Sequence, residues 1–431
     1  MQHQATTSRR EFLRTGAAFV GSSWVGHAPD AWATSDAPND RLRFAAVGVG
    51  GRGTQLALQT LPFGDLLAVC DVDEEHARRA QKQTGGTARA YADYRHVLDR
   101  DDIDAITIAT PDHWHVPIAM AACRAGKDVY CEKPLTLTVE EGKQLVQVVN
   151  ETGRIFQVGS QQRSEFGLLF LKAIAIVHQG RLGKLKHVLV SNGAAPAGGP
   201  FKVQPAPKHL NWDQWLGQTP RVDYIPERCH GTFRWWFEYS GGMMTDWGAH
   251  HLDIAHWGMR MQNSGPLEID GQADLPDIAN GYNTPSEFEV KMIYPGGLPV
   301  TLSVKKGNRS GILFEGETGR IFVSRATLAG KPVEQLADAP LPEDVIAKLY
   351  RGKEPGSHMR NFVECVQSRD LPISDVTSQH RSTTALHLAN ISIRLGRSLR
   401  WDPKQETLVG NDSEAKQMLQ REPRSGFTFD S

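Results

Sequence analysis

Between Leu42 and Glu151 short apolar runs alternate with longer amphipathic stretches. Leu42 to Val47, Leu66 to Cys70, Ala105 to Ala109 and Asp128 to Cys131 have the length and apolar content of buried strands, whereas Glu74 to Thr84, Val116 to Ala125 and Val139 to Glu151 carry helical spacing. Strand and helix taking turns in this way predicts βαβ units and a parallel sheet. Further along the rhythm changes. Runs at Lys184 to Asn192, Phe288 to Tyr294, Val300 to Lys305, Ile312 to Glu315 and Arg320 to Ser324 are separated by Gly- and Pro-rich turns, and Pro295-Gly296-Gly297 between two of them predicts a hairpin. A second domain built on an open, mainly antiparallel sheet follows. Ser357 to Gln367 and Thr377 to Leu395 read as closing helices, and the polar tail after Trp401 as a surface wrap.

Composition narrows the picture. With 431 residues, 40% hydrophobic and 23% charged, the chain has enough apolar content for a full core and excludes disordered, collagen-like and coiled-coil classes. A formal charge of -1 supplies no global positive field, so neither nucleic acid nor an anionic membrane is an expected partner. The five cysteines (Cys70, Cys123, Cys131, Cys229 and Cys365) have no metal or disulfide spacing and read as buried thiols.

The N-terminus carries Ser8-Arg9-Arg10-Glu11-Phe12-Leu13, a weakly apolar stretch from Thr15 to Val25, and Ala31-Trp32-Ala33, a small-residue cleavage pattern. It resembles a twin-arginine export signal, which implies a periplasmic or secreted protein exported already folded. The expected divisions are residues 1–33 as signal, 34–40 as a polar linker, 41–160 as a nucleotide-binding domain, and 161–431 as a substrate-binding and oligomerisation domain. No stretch is long and apolar enough to predict a membrane anchor.

Gly48, Gly50 and Gly53 form G-x-G-x-x-G directly after the first predicted strand and at the opening of the first predicted helix. That spacing suits a tight turn, close approach of backbone to a pyrophosphate, and a helix N-terminus facing the phosphates, with Gly51 and Arg52 inside the same loop. Asp71 follows at the end of the second predicted strand, where a carboxylate accepts hydrogen bonds from an adenosine ribose and repels a 2′-phosphate. NAD is therefore the expected cofactor and NADP the alternative, with Arg52 and Arg78 or Arg79 placed to soften the preference.

Thr110-Pro111-Asp112-His113-Trp114-His115 follows the third run and Cys131-Glu132-Lys133-Pro134-Leu135 closes the fourth. Together with the glycine loop and Asn211-Trp212-Asp213-Gln214-Trp215-Leu216-Gly217, they resemble the glucose-fructose oxidoreductase, inositol dehydrogenase and MocA (Gfo/Idh/MocA) family. The resemblance implies an N-terminal Rossmann fold and a C-terminal α/β domain whose large sheet forms an oligomer interface, here a homodimer or homotetramer. It also implies cofactor contacts from Thr110, Pro111, His115, Glu132 and Lys133, and a catalytic Lys133 that reaches the reacting hydroxyl.

Asp246 and His250 lie four residues apart in Gly241-Gly242-Met243-Met244-Thr245-Asp246-Trp247-Gly248-Ala249-His250-His251-Leu252-Asp253, so on a helix they share one face. Alcohol oxidation needs a proton acceptor, and histidine's ordinary pKa suits that task near neutrality. The pair matches the family's catalytic aspartate and histidine, with His250 as base and Asp246 as its partner and a substrate ligand. The alternative, a metal held by His250, His251, Asp253 and His256, is disfavoured because three of these do not share a face cleanly, and no metal is expected. Aromatic residues crowd the preceding segment, and Arg163 and Trp235 are the further substrate-contact candidates, with Arg228 and Arg234 also nearby.

The expected activity is hydride transfer between a secondary hydroxyl of a sugar, glycoside or polyol and a nicotinamide cofactor that stays tightly bound after export. Redox-neutral glycoside cleavage through a keto intermediate is one alternative, needing an extra acid/base from Tyr224, His230 or His113. A catalytically silent NAD-binding regulator is the other.

Overall fold

The computed structural model describes residues 41–427. The proposed signal (1–33) and linker (34–40) lie outside the described residues.

Six parallel strands, β1 (Leu42–Val47), β2 (Gly64–Cys70), β3 (Arg89–Tyr91), β4 (Ala105–Ile108), β5 (Asp128–Glu132) and β6 (Phe156–Gly159), form the first sheet in the order β3-β2-β1-β4-β5-β6. This is the doubly wound Rossmann order, and the order reverses between β1 and β4, where a crevice opens at the carboxyl ends of the strands. Strands β4, β5 and β6 are buried at every position, which explains their unbroken apolar character. The helix Val139–Thr152 starts at a capping box in which the Thr138 hydroxyl accepts from the Glu141 amide and the Glu141 carboxylate accepts from the Thr138 amide.

The second sheet has nine strands: β7 (Leu185–Asn192), β8 (Glu268–Gln272), β9 (Phe288–Tyr294), β10 (Leu298–Val304), β11 (Gly311–Gly316), β12 (Arg320–Val323), β13 (Leu328–Ala329), β14 (Leu399–Asp402) and β15 (Thr407–Leu408). Their order is β13-β12-β11-β7-β10-β9-β8-β14-β15, antiparallel except where β10 runs parallel to β7. The β9–β10 hairpin turns at Pro295-Gly296-Gly297 in the expected register, with Tyr294 opposite Leu298. Val188, Val190, Val290, Met292, Val300, Leu302, Ile312 and Phe314 point inward against the helices Leu169–His178, Met243–Gly258 and Val376–Leu395.

All five cysteines are free and buried. Among the described residues no helix is long and apolar enough to cross a membrane.

Between the two sheets, residues 209–211 clasp the end of β2. The Asn211 amide donates to the Val72 carbonyl at 3.0 Å and the Glu74 amide to the His209 carbonyl at 2.9 Å, while Asp73 and Leu210 form an antiparallel bridge.

Candidate active site

Two cavities meet around Arg52, Ala109, Thr110 and Arg234. The first runs along the glycine loop and is lined by Gly48, Gly50, Gly51, Arg52, Asp71, His76, Tyr94, Thr110, Pro111, Trp114 and His230, among others. Gly48 has a φ of 75°, and a Cβ there would come within 2.5 Å of the Thr110 amide nitrogen. A Cβ on Gly53 would overlap the Gly48 carbonyl oxygen, so only glycine lets the helix Gly51–Thr60 pack onto the loop. Nothing lies within 4 Å of a Cβ built on Gly51, leaving the helix N-terminus open to the crevice. The Thr110 hydroxyl is enclosed without a protein partner, an unused polar group beside the loop. An open helix start, an unengaged hydroxyl and the Asp71 carboxylate together fit a dinucleotide.

Asp71 accepts from the Asp73 amide at 2.9 Å and sits 3.4 Å from Nδ1 of His76. Hydrogen bonding to Asp71 raises the His76 pKa, against the opposing effect of burial. Two of the arginines expected to soften nucleotide choice are engaged: Arg52 Nε donates to Glu132 at 2.8 Å, and Arg78 pairs with Glu74 at 3.5 Å. Asp73, His76 and His230 bring ligand-type atoms within 4.8 Å of one another, a grouping the sequence reading did not weigh. Asp73 is satisfied within the protein, capping the Glu74 helix through the amides of Glu75 and His76 and accepting from His209 at 2.9 Å.

The second cavity is lined by two of the three residues expected to carry the chemistry, Lys133 and His250. Lys133, just past β5, extends Nζ to Oδ1 of Asp246 at 2.6 Å and to its carbonyl oxygen at 3.1 Å. Arg234 Nε lies 3.4 Å from the same carboxylate oxygen. Burial alone would raise the Asp246 carboxyl, but Lys133 and Arg234 hold it below the usual aspartate value. His250, one turn along the Met243–Gly258 helix, lines the cavity with Nδ1 enclosed and unpartnered. Burial, then the charges of Lys133 and Arg325, push its pKa well down, so its imidazole is neutral at pH 7.

Several expectations need correction. Asp246 makes no hydrogen bond to His250; its carboxylate anchors Lys133 instead. Arg163 is no substrate ligand: it is buried, donates Nε to Asp253 at 2.8 Å and Nη1 to the Ile373 carbonyl at 2.7 Å, and reaches neither cavity. A guanidinium so enclosed needs a buried carboxylate, and Asp253 also accepts from Ser160 and Gln379. Trp235 packs between two apolar clusters, and its neighbour Arg234 faces the cavities. His115 lines the second cavity but spends both nitrogens on the carbonyls of Pro134, at 2.7 Å, and Thr110, at 3.0 Å, bracing one loop on the other. Glu132 holds Arg52 and, at 2.9 Å, accepts from Gln161.

Of the proposed extra acids, His113 is buried against the Trp215 carbonyl with its pKa lowered to about 3, chiefly by burial, while Tyr224 reaches neither cavity and His230 lies along the glycine-loop cavity. Glu165, Phe166 and Arg325 also line the catalytic cavity, and the sequence reading passed over all three.

Residues 42–160 match the NAD-binding Rossmann fold of an oxidoreductase family, and residues 198–429 match its C-terminal alpha/beta domain. The chain belongs to the Gfo/Idh/MocA oxidoreductase family. Curated family members include a Glycosyl hydrolase family 109 protein of Shewanella baltica, 33% identical over 205 residues that span 42% of this chain and 44% of that protein. Inositol 2-dehydrogenase of Klebsiella pneumoniae is 34% identical over 146 residues, 33% of this chain and 43% of the relative. The chain thus aligns with somewhat less than half the length of these relatives.

Among solved structures, the WlbA dehydrogenase of Bordetella pertussis, crystallised with NADH and UDP-GlcNAcA, has a TM-score of 0.62 at 20% identity, covering 84% of this chain and 99% of that one. Aldose-aldose oxidoreductase of Caulobacter crescentus, complexed with glycerol, has a TM-score of 0.58 at 18% identity, covering 84% of this chain and 99% of that one. At such identities the likeness is one of fold.

Proposed function

We propose that this protein oxidises a secondary hydroxyl of a sugar, glycoside or polyol with NAD, in a cavity continuous with the nucleotide crevice. The observation that carries the reading is Lys133, paired with Asp246, lining the second cavity together with a neutral His250. NAD supplies the hydride acceptor when bound. Lys133, held in place by Asp246, presents its ammonium to the hydroxyl and stabilises negative charge developing on oxygen. His250 has an unprotonated nitrogen at neutral pH and takes the hydroxyl proton. Its depressed pKa makes it a weak base that readily returns the proton, which suits a reversible cycle in which a keto product is reduced again.

That reversibility keeps a second reading alive, redox-neutral cleavage of a glycosidic bond. Glu165 favours it: its carboxyl lines the cavity and burial pushes its pKa up, the direction a proton donor needs. The name of the Shewanella baltica relative points the same way.

Export of the folded protein with its cofactor already bound rests on the paired Arg9 and Arg10, and assembly into a homodimer or homotetramer on the outward, part-exposed positions of strands such as β7 and β9 in the nine-stranded sheet.

His250→Asn tests the chemistry. Single-turnover reduction of bound NAD, across a panel of hexoses, uronic acids and inositols, is expected to slow by about 100- to 10,000-fold on the best wild-type substrate. An unaltered rate would remove His250 as base.

A further inference from the structure

The catalytic cavity holds a positive charge that its own carboxylates do not engage. Four permanently cationic side chains line it: Arg52, Lys133, Arg234 and Arg325. Arg52 is paired with Glu132, and Lys133 and Arg234 share Asp246. Arg325, in the turn between β12 and β13, has no hydrogen-bond or ion-pair partner among the described residues, and its Nε is enclosed.

The cavity's carboxyl groups and Asp246 act on it only at a distance, and none forms an ion pair with it. Glu165 accepts from the His358 amide at 3.3 Å, and Asp112 accepts from the Ser240 hydroxyl at 2.5 Å. Burial pushes both of these carboxyls toward the neutral form.

The guanidinium is nonetheless held in place. Its carbon lies 4.7 Å from the centre of the Phe166 ring and 4.6 Å from that of Trp247, so two aromatic faces fix it. Trp247 in turn meets the His250 ring edge-on at 5.8 Å, which places Arg325 one aromatic ring away from the proposed base. A positioned, half-buried guanidinium without a counter-ion is costly unless a ligand supplies the anion.

The chemistry of that anion follows from the donors. A guanidinium offers two parallel N–H groups to two coplanar oxygens, the geometry of a carboxylate. A single unpaired charge, with the Glu132 carboxylate on the same walls, disfavours a phosphate dianion.

We propose that Arg325 anchors a carboxylate-bearing sugar, a uronic acid or its glycoside, in the catalytic cavity. The assignment rests on the oxidoreductase reading above and names its substrate class.

The test uses the full protein with its nucleotide bound, titrated with glucuronate, galacturonate, glucose, galactose and glucose 6-phosphate while tryptophan fluorescence is followed. Each uronate is expected to bind at least about 10-fold more tightly than its parent hexose and than the sugar phosphate, from one charge-assisted bidentate contact. In Arg325→Gln the uronate-to-hexose ratio is expected to fall below about 3-fold, with Arg325→Lys intermediate because a point charge replaces the fork. Thermal melts of both variants report whether the fold is kept.

Equal affinities in the wild type, preference for the phosphate, absence of uronate binding, or a preference surviving in a folded Arg325→Gln would each overturn the assignment. Reduction of bound NAD is read in the same samples. Hexose-driven reduction without uronate preference removes the anchor and leaves the oxidoreductase reading standing. Arg325-dependent uronate binding without reduction of bound NAD keeps the anchor and removes that reading.

Discussion

Asp246→Asn isolates the contact on which the proposed chemistry depends. The amide is nearly isosteric, so the change removes one negative charge and little volume. The 2.6 Å charged contact of Lys133 becomes at best a neutral hydrogen bond to the amide oxygen, beside the backbone carbonyl of residue 246 at 3.1 Å, and Arg234 loses the negative charge 3.4 Å away. A charged hydrogen bond contributes about 1.5 to 3 kcal/mol, and stranding a fully buried charge costs about 3 to 5 kcal/mol. With 14% and 15% of the two side chains exposed, water and the remaining carbonyl soften the loss, so about 2 to 3 kcal/mol is expected. Carried into the chemical step, that is roughly 30- to 150-fold in the single-turnover rate of NAD reduction.

The pH behaviour has a definite sign. The folded-state carboxyl of Asp246 is held below its ordinary value, so its contribution is present above the unfolded pKa of about 3.9 and is lost as pH falls through the folded value. The variant should therefore be less stable than wild type at pH 7, and the gap should close below about pH 4. Because Lys133 is left unopposed and already lowers His250, the acid limb of the rate profile should move to lower pH. A wild-type single-turnover rate in Asp246→Asn, with an unchanged acid limb, would refute the anchoring role.

Three further outcomes are expected. Asp71→Ser should weaken NAD and relieve exclusion of NADP, shifting the affinity ratio by about 10-fold or more in parallel titrations; tighter NADP binding by the wild type would overturn the ribose assignment. Arg163→Met should cost about 3 to 5 kcal/mol in denaturant unfolding by stranding Asp253, with substrate KM unchanged in the folded fraction, whereas a raised KM with intact stability would restore Arg163 as a ligand. Arg9→Lys combined with Arg10→Lys should leave full-length precursor in the cytoplasm, and undiminished export would exclude the twin-arginine route.

What sequence could reveal followed from how local each constraint is. Gly48 and Gly53 are legible because a backbone turn and a close approach admit no side chain, and Asp71 because a strand end fixes its place. The helical spacing of Asp246 and His250 put them on one element; that Asp246 faces Lys133 and not His250 depends on a contact across 113 residues that no periodicity encodes. Arg163 misled because a charged residue beside a predicted site reads as a ligand, while its buried partner Asp253 lies 90 positions away. Arg234 and Trp235 show how one residue's shift around a tight 3-10 turn exchanges a cavity side chain for a packed one. Strands β8 and β14 alternate over only five and four residues, too short a span to stand out, and owe their form to pairing with each other and β9. Glu165 and Arg325 carried no local signal, being gathered from the start of one helical segment and from a turn in the far sheet.

The clasp between residues 209–211 and the end of β2 joins two tasks in one set of contacts. Asp71 stands immediately before the clasped segment, and His209 also bonds Asp73. Any motion that shifted residues 209–211 away from that segment would break the same backbone bonds that hold the chain on which the Asp71 carboxylate is carried. The place of the carboxylate and the hold between the two sheets are therefore coupled mechanically, so a substitution that loosens one is felt by the other.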